Sequence, residues 1–274
     1  MLITIQQTKA NFKNRFEIKI NGQTTYLADA PWLSLQVPLQ ADRLRPCTMT
    51  DIHGKLCYTT AYPFTENIIQ DAVPMRWAFT GKDKTQIFDV LDQEKQICGR
   101  FYHLTNGFMN SKYVIEFGPQ VFQCYDIAVG RTRNLSVYLD DCQIAEIVKP
   151  LSVSNNLDCY YLFLLEEYSD LKRILSFFVI YFDARNYANQ GQAVSGKRAT
   201  TISYSYSKNN RFYNKSWITD NFESGTEILA SINKEAEQMK QDLKFQSKRT
   251  LLFLAFIWGI VLITALIILG ILML

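Results

Sequence analysis

The sequence predicts a mainly β fold, antiparallel strands around one central hydrophobic helix, followed by a short polar helix and a terminal membrane helix. Three observations carry this. Short segments that alternate apolar and polar residues recur between tight-turn signals from residue 16 to about 149, the pattern of half-buried antiparallel strands. The stretch 158–182 then changes to three- and four-residue apolar spacing, which is helical. The last 24 residues, 251–274, hold no charged side chain.

The average composition conceals this division. With 48% hydrophobic and 20% charged residues and a mean hydropathy of −0.08, the 274-residue chain looks like an ordinary globular protein. Such values exclude a disordered tail, a collagen-like fibre and a multi-span transporter. Residues 1–184 nevertheless carry 18 Lys/Arg against 20 Asp/Glu, whereas residues 185–274 carry 11 against 6. A slightly acidic head is joined to a basic tail near Arg185.

Within the head the hairpins follow one another. Phe16–Ile20 meets Asn21-Gly22, a strong tight-hairpin signal, and returns from Thr24 to Leu27. Cys47–Thr50 turns at Asp51–Gly54 and returns through Leu56–Tyr58. Ile87–Leu91 turns at Asp92–Lys95 and returns through Ile97–Arg100. Tyr113–Phe117 and Val121–Ile127 read as further strands, and Leu135–Leu139 turns at Asp140-Asp141 into Ile144–Val148. Strands this short and numerous define an antiparallel barrel or sandwich.

The segment from Asp158 to Phe182 places Tyr161, Leu164, Leu165, Tyr168, Leu171, Leu175, Phe178, Val179 and Phe182 at helical steps. Its twelve large aliphatic or Phe residues offer about −6 kcal/mol toward membrane insertion. Glu166, Glu167, Asp170, Lys172 and Arg173 each cost about 2.5–3.5 kcal/mol there. The charges win, so this apolar helix, expected over about 158–182, belongs inside protein.

Repeated strand–turn–strand units at Asn21-Gly22, Asp51–Gly54 and Asp140-Asp141, closed by Tyr160–Leu165, Tyr168-Ser169-Asp170 and Phe177–Ile180, resemble the tubby-like C-terminal superfamily. That superfamily includes tubby domains, phospholipid scramblases and the LURP-one-related proteins. The resemblance covers residues 1–184 and implies a twelve-stranded barrel wrapped around a central hydrophobic helix. A scramblase-type acidic calcium loop and a dense tubby-type Lys/Arg pocket are not matched by residues of this chain. The tail after Tyr187 lies outside the pattern.

Residues 185–223 form a basic, aromatic connector. Between Ala184 and Thr219 there are six Lys/Arg and no Asp or Glu, with Tyr204, Tyr206, Phe212, Tyr213 and Trp217 interleaved. Lys197, Arg198, Lys208, Arg211, Lys215 and Trp217 are the candidate membrane-surface residues, since basic and aromatic side chains suit an anionic leaflet. The same composition suits single-stranded nucleic acid or a solvated linker; the neighbouring anchor disfavours nucleic acid. Ser224–Glu227 has capping-box spacing and opens an expected juxtamembrane helix over 224–249. Its seam of Leu229, Ile232, Ala236, Met239 and Leu243 allows weak self-association or packing on the head.

The anchor is expected over 250–274. Seventeen of residues 251–274 are Leu, Ile, Val or Phe, worth at most about −8 kcal/mol in a bilayer, and a helix of that length reaches roughly 36 Å. Lys244, Lys248 and Arg249 precede it and no charge follows, so the positive-inside bias puts the N-terminal domain in the cytoplasm. Met1–Arg15 is too polar for a signal peptide.

The chemistry-bearing residues are sparse. Six scattered cysteines without a C-x-x-C pair, and only His53 and His103, suggest neither a disulfide framework nor a zinc site. His53 reads as a surface turn residue, and Glu166-Glu167 point about 100° apart on a helix, a poor acid/base pair. No P-loop, G-x-S-x-G, G-x-G-x-x-G or H-E-x-x-H is present. The expected protein is thus not an enzyme and needs no cofactor or metal. It is a tail-anchored, single-pass membrane protein whose cytosolic tubby-like domain binds anionic lipid or a protein partner. The alternatives are a scramblase-like lipid mover and a membrane-anchored inhibitor or immunity-type protein.

Overall fold

Period-two alternation turns alternate side chains into one interior. Ile3 and Ile5, Phe16 and Ile18, Phe122 and Cys124, Leu135 and Val137 are each fully enclosed, two residues apart on their strands. The computed structural model describes residues 1–10, 13–31, 46–67, 81–107, 111–129, 132–150, 157–186, 208–235 and 237–238. Its strands are β1 (Leu2–Ala10), β2 (Lys13–Ile20), β3 (Gln23–Pro31), β4 (Thr48–Asp51), β5 (Leu56–Ala61) and β6 (Asp83–Leu91), then β7 (Ile97–Thr105), β8 (Ser111–Phe117), β9 (Gln120–Val129), β10 (Thr132–Leu139), β11 (Cys142–Pro150) and β12 (Cys159–Leu164).

Each strand pairs antiparallel with its sequence neighbour, and β1 pairs with β12 as well as β2, Ile5 facing Tyr160 on one side and Ile18 on the other. The sheet is a closed twelve-stranded barrel with no free edge. Strand direction puts the short turns at 21–22, 52–55, 92–96, 118–119 and 140–141 at one end, the turn end. The long connections leave from the opposite end, the mouth. Asn21 and Gly22 both have positive φ, 50° and 81°, as a tight primed turn requires. Two turns share one device: Asp51 Oδ1 accepts from the His53 and Lys55 amides, both at 2.9 Å, and Asp92 Oδ1 accepts from Glu94 and Gln96 at 3.0 and 2.9 Å.

A helix, Lys172–Asn186, runs through the barrel from the turn end toward the mouth, and every residue from Ile174 to Arg185 is buried. It lies nearest β3, where the inward side chains are Ala28 and Ala30. Elsewhere the gap is filled by rings: Phe177 against Tyr58 at 5.7 Å, Phe178 edge-on to Phe101 at 5.5 Å, and Phe182 edge-on to Tyr113 at 5.2 Å. Each such side chain contributes about 2–3 kcal/mol through burial.

The expected helix over 158–182 is corrected here. Cys159–Leu164 is strand β12, Glu166–Leu171 is a 3-10 turn, and the helix begins only at Lys172. The reason is burial on both faces: Tyr160, Leu162 and Leu164 face the core while Phe163 packs outside against Phe222 at 5.3 Å. A strand apolar on both faces loses the alternation that distinguishes it from a helix.

The chain divides into two units, Met1–Glu227 and Ile228–Leu274. The described part of the second is helical over 228–235 and 237–238; this helix begins at residue 225, next to the expected Ser224 cap. Among the described residues no helix is long and apolar enough to cross a membrane. The expected span over 250–274 lies outside the described residues.

Candidate functional site

The described end of the connector, 208–222, is laid as a strap across the outer faces of β8 to β12. A 3-10 turn, Lys208–Phe212, and a short helix, Trp217–Asn221, build it. The Asn209 amide donates to the Ser111 carbonyl at 2.7 Å, and the Tyr138 hydroxyl donates to the Phe212 carbonyl at 2.9 Å. Phe212 stacks on Tyr125 with ring centres 3.6 Å apart and planes at 11°. Trp217 packs on Phe222, which itself meets Phe163 of β12. The aromatics interleaved in this stretch are therefore wall contacts, because a ring buried on both sides gains more than one lying in water.

The candidate surface residues separate accordingly. Arg211 and Lys215 are exposed, and Arg211 lies over the Phe212 ring at 4.7 Å. Trp217 is only 7% exposed, its indole packed on Phe222 and away from water. Lys197, Arg198, Lys244, Lys248, Arg249 and the Lys208 side chain lie outside the described residues. His53 is exposed in its turn, as expected, and Glu166 and Glu167 are exposed on the 3-10 turn.

Beneath the strap is a carboxyl that no local sequence pattern singles out. Glu146 is 1% exposed on the outer face of β11, opposite Ser136. Its Oε2 accepts from the Gln143 amide at 2.8 Å. Burial pushes this acid up to about 8, and the Gln143 bond and the nearby Ser136 hydroxyl offset only part of that.

A second group of charges fills the mouth. Tyr160 donates to Asp183 Oδ1 at 2.6 Å, and Lys149 pairs with Asp158. Asp183, near the end of the central helix, is held well above the usual carboxylate range by burial first and Asp158 second; Lys149 and the Tyr160 bond oppose. Arg133 pairs with Asp126, its Nε donating at 2.7 Å, and lies over the Phe182 ring at 5.6 Å. His103, against Tyr113 at 4.9 Å, is lowered to about 4 by burial; Asp126 opposes this, while Arg185 and Arg133 add to it. Its imidazole is neutral near pH 7.

Two of its ion pairs close on themselves, Asp126 with Arg133 and Asp158 with Lys149, while Asp183 and Arg185 lie beside them on the helix. The thiols are poor nucleophiles, desolvation pushing buried Cys47 up to about 12 and half-buried Cys98 up to about 11. Among the described residues no cluster of three His, Cys, Asp or Glu could hold a metal. A shallow groove of about 600 Å³ lies at the turn end between Ile97, Arg100, Glu116, Phe117 and Pro119. Sequence spacing could not assemble the mouth, because its members come from β7, β9, β10, β11, β12 and the helix, up to eighty residues apart.

No protein-family model matches this chain, and no curated protein or solved structure matches it. Fold and site together define a closed antiparallel β-barrel plugged by a helix, with a basic strap fastened to its outer wall.

Proposed function

We propose that this chain is a non-enzymatic, membrane-held binding module of the tubby-like type, whose barrel works at an anionic lipid surface on the cytoplasmic side. A closed barrel around a buried helix supports the tubby-like reading, since it is the architecture that resemblance implies. Because the helix occupies the interior, ligands meet the outside of this domain. The charge-free stretch 251–274 supports the anchor.

One observation carries the choice of ligand: the strap turns its aromatic rings into the wall and its cations, Arg211 and Lys215, to the solvent. A fixed cation near an anionic leaflet gains about 1 kcal/mol without first being ordered from a flexible chain. The test is a chain ending at Lys248, mixed with neutral and anionic vesicles. Binding to anionic vesicles alone is expected, weakening steeply as the Debye length falls from ~10 Å at 0.1 M salt to ~3 Å at 1 M. Equal binding to both vesicle types, or none at low salt, overturns the proposal.

A further inference from the structure

We propose that the outer wall of β6, β7 and β8 beside the mouth, together with Arg211, is the face that docks on an anionic phospholipid surface. This rests on the membrane reading above and names the residues that would touch the lipid.

The register assembles the face. Lys84 lies opposite Leu104, and Leu104 lies opposite Lys112. Inward positions on these strands are held by Phe101 and Tyr113, so Leu104 and Lys112 point outward. Two strand spacings put Lys84 and Lys112 roughly 10 Å apart. Lys82, two residues before Lys84, is exposed on the same strand approach, close enough that its charge bears on Lys112. The strap brings Arg211 to the other side of Lys112, since Asn209 is bonded to the carbonyl of Ser111, the residue before Lys112.

Three of these cations, Lys84, Lys112 and Arg211, are positioned by rings. Lys84 Nζ stands 4.4 Å from the centre of Tyr102, Lys112 Nζ 5.6 Å from that of Tyr125, and Arg211 over Phe212, which stacks on Tyr125. Lys112 also donates to the neutral amide oxygen of Gln123 at 2.5 Å. The nearby acids are directed elsewhere. Asp83, between the two lysines, is 8% exposed, Asp126 is paired with Arg133 inside the mouth, and Glu116 accepts from the Tyr102 hydroxyl at 2.8 Å further down the wall.

The surface offers cations without open rings. Tyr102 and Tyr125 are 5% and 6% exposed, so they are not platforms on which bases could stack, and single-stranded nucleic acid is disfavoured. A plane of phosphate-bearing headgroups needs no stacking, and it matches a face whose exposed charges among the described residues are cations.

The test is amine acetylation of the full chain, read lysine by lysine by mass spectrometry. The chain is mixed with phosphatidylcholine vesicles or with vesicles that also contain phosphatidylserine. Lys84 and Lys112 are expected to label about fivefold more slowly with phosphatidylserine, and to recover at high salt. Lys55 and Lys95, at the turn end, should not change. A Lys84→Glu, Lys112→Glu chain should lose the protection of Lys82. Flotation of the same samples separates the two ideas. Vesicle-bound protein with unchanged Lys84 and Lys112 overturns this face alone; failure to float overturns the membrane reading and the face with it. Protection by a single-stranded oligonucleotide without protection by phosphatidylserine also overturns it.

Discussion

Raising the pH should unseat the strap, and Glu146 is the group that does it. Its carboxyl lies under 208–222, bonded to the neutral Gln143 amide with the uncharged Ser136 hydroxyl beside it. Tyr138 and Tyr213 also face it: burial raises both phenols and the Glu146 charge raises them further. The seated protein holds this acid at about 8 against an ordinary 4.5. An acid whose folded value is raised destabilises the fold as pH rises from its unfolded value to its folded one, after which the loss is complete. The window is therefore about pH 4.5 to 8, and 1.36 kcal/mol per pH unit sets a ceiling of about 5 kcal/mol. Water reaching the carboxyl through a loosened strap reduces the observed value to about 2–4 kcal/mol. Asp183 is shifted in the same sense inside the mouth and His103 in the opposite one, so the wild-type profile alone does not isolate Glu146. Denaturant unfolding of wild type and Glu146→Gln across this window, with tryptic cleavage after Arg211 followed in parallel, does isolate it. Wild type should lose stability and gain cleavage with rising pH, and the Gln variant should be markedly flatter. Parallel profiles for the two proteins would refute the reasoning.

Other substitutions probe the scaffold. Leu175→Asp puts an unpaired charge inside the barrel and should prevent folding of the head, while Phe178→Ala should cost about 3–5 kcal/mol; circular dichroism melts check both. Gly99→Ala should destabilise by about 1–3 kcal/mol, because a Cβ there would lie 2.5 Å from the Glu116 carbonyl oxygen. Lys95 holds φ at 60° in the turn position that Gly54 fills at 81°, so Lys95→Gly should stabilise by about 1 kcal/mol, seen as a higher melting temperature.

How much of this was readable in the chain depended on which faces each segment buries. Most hairpins from Phe16 to Leu139 keep a wetter face, so their alternation survives in the sequence; β11, buried on both faces, was legible through the Asp140-Asp141 turn and the polar Glu146 between apolar neighbours. Strand β12 is buried on both sides and looked helical. β1 begins with the alternation Leu2-Ile3-Thr4-Ile5, but its partners are β2 and, from the far end of the domain, β12; only closure of the ring makes it a strand. The burial of the central helix followed from its charges opposing insertion into lipid. The site was less accessible. Arg211 and Lys215 were visible as basic residues among aromatics, but nothing local showed that Phe212 and Trp217 face inward. Lys82 and Lys84 are neighbours in the chain at the start of β6, whereas Lys112 joins them only through the β6–β7–β8 register.

The plugged barrel and the strap bear on the same point. A helix buried from Ile174 to Arg185 fixes the barrel from within, so the outer wall is a rigid surface on which charges can hold constant spacing. Wall lysines alone would be flexible; Tyr102 and Tyr125 restrain their stems, and the strap covers Tyr125 with Phe212 while bringing Arg211 alongside. The Phe212–Tyr125 stack therefore does two things at once. It holds 208–222 on the wall, where Tyr138 and Tyr213 face Glu146, and it sets Arg211 beside Tyr125. Loss of the strap would remove one cation and uncover Tyr125 in the same event, so the proposed lipid docking would be coupled to the protonation of Glu146 through one piece of chain. The reciprocity follows: if an anionic surface binds the strapped form better, it must also raise the pH at which Glu146 ionises.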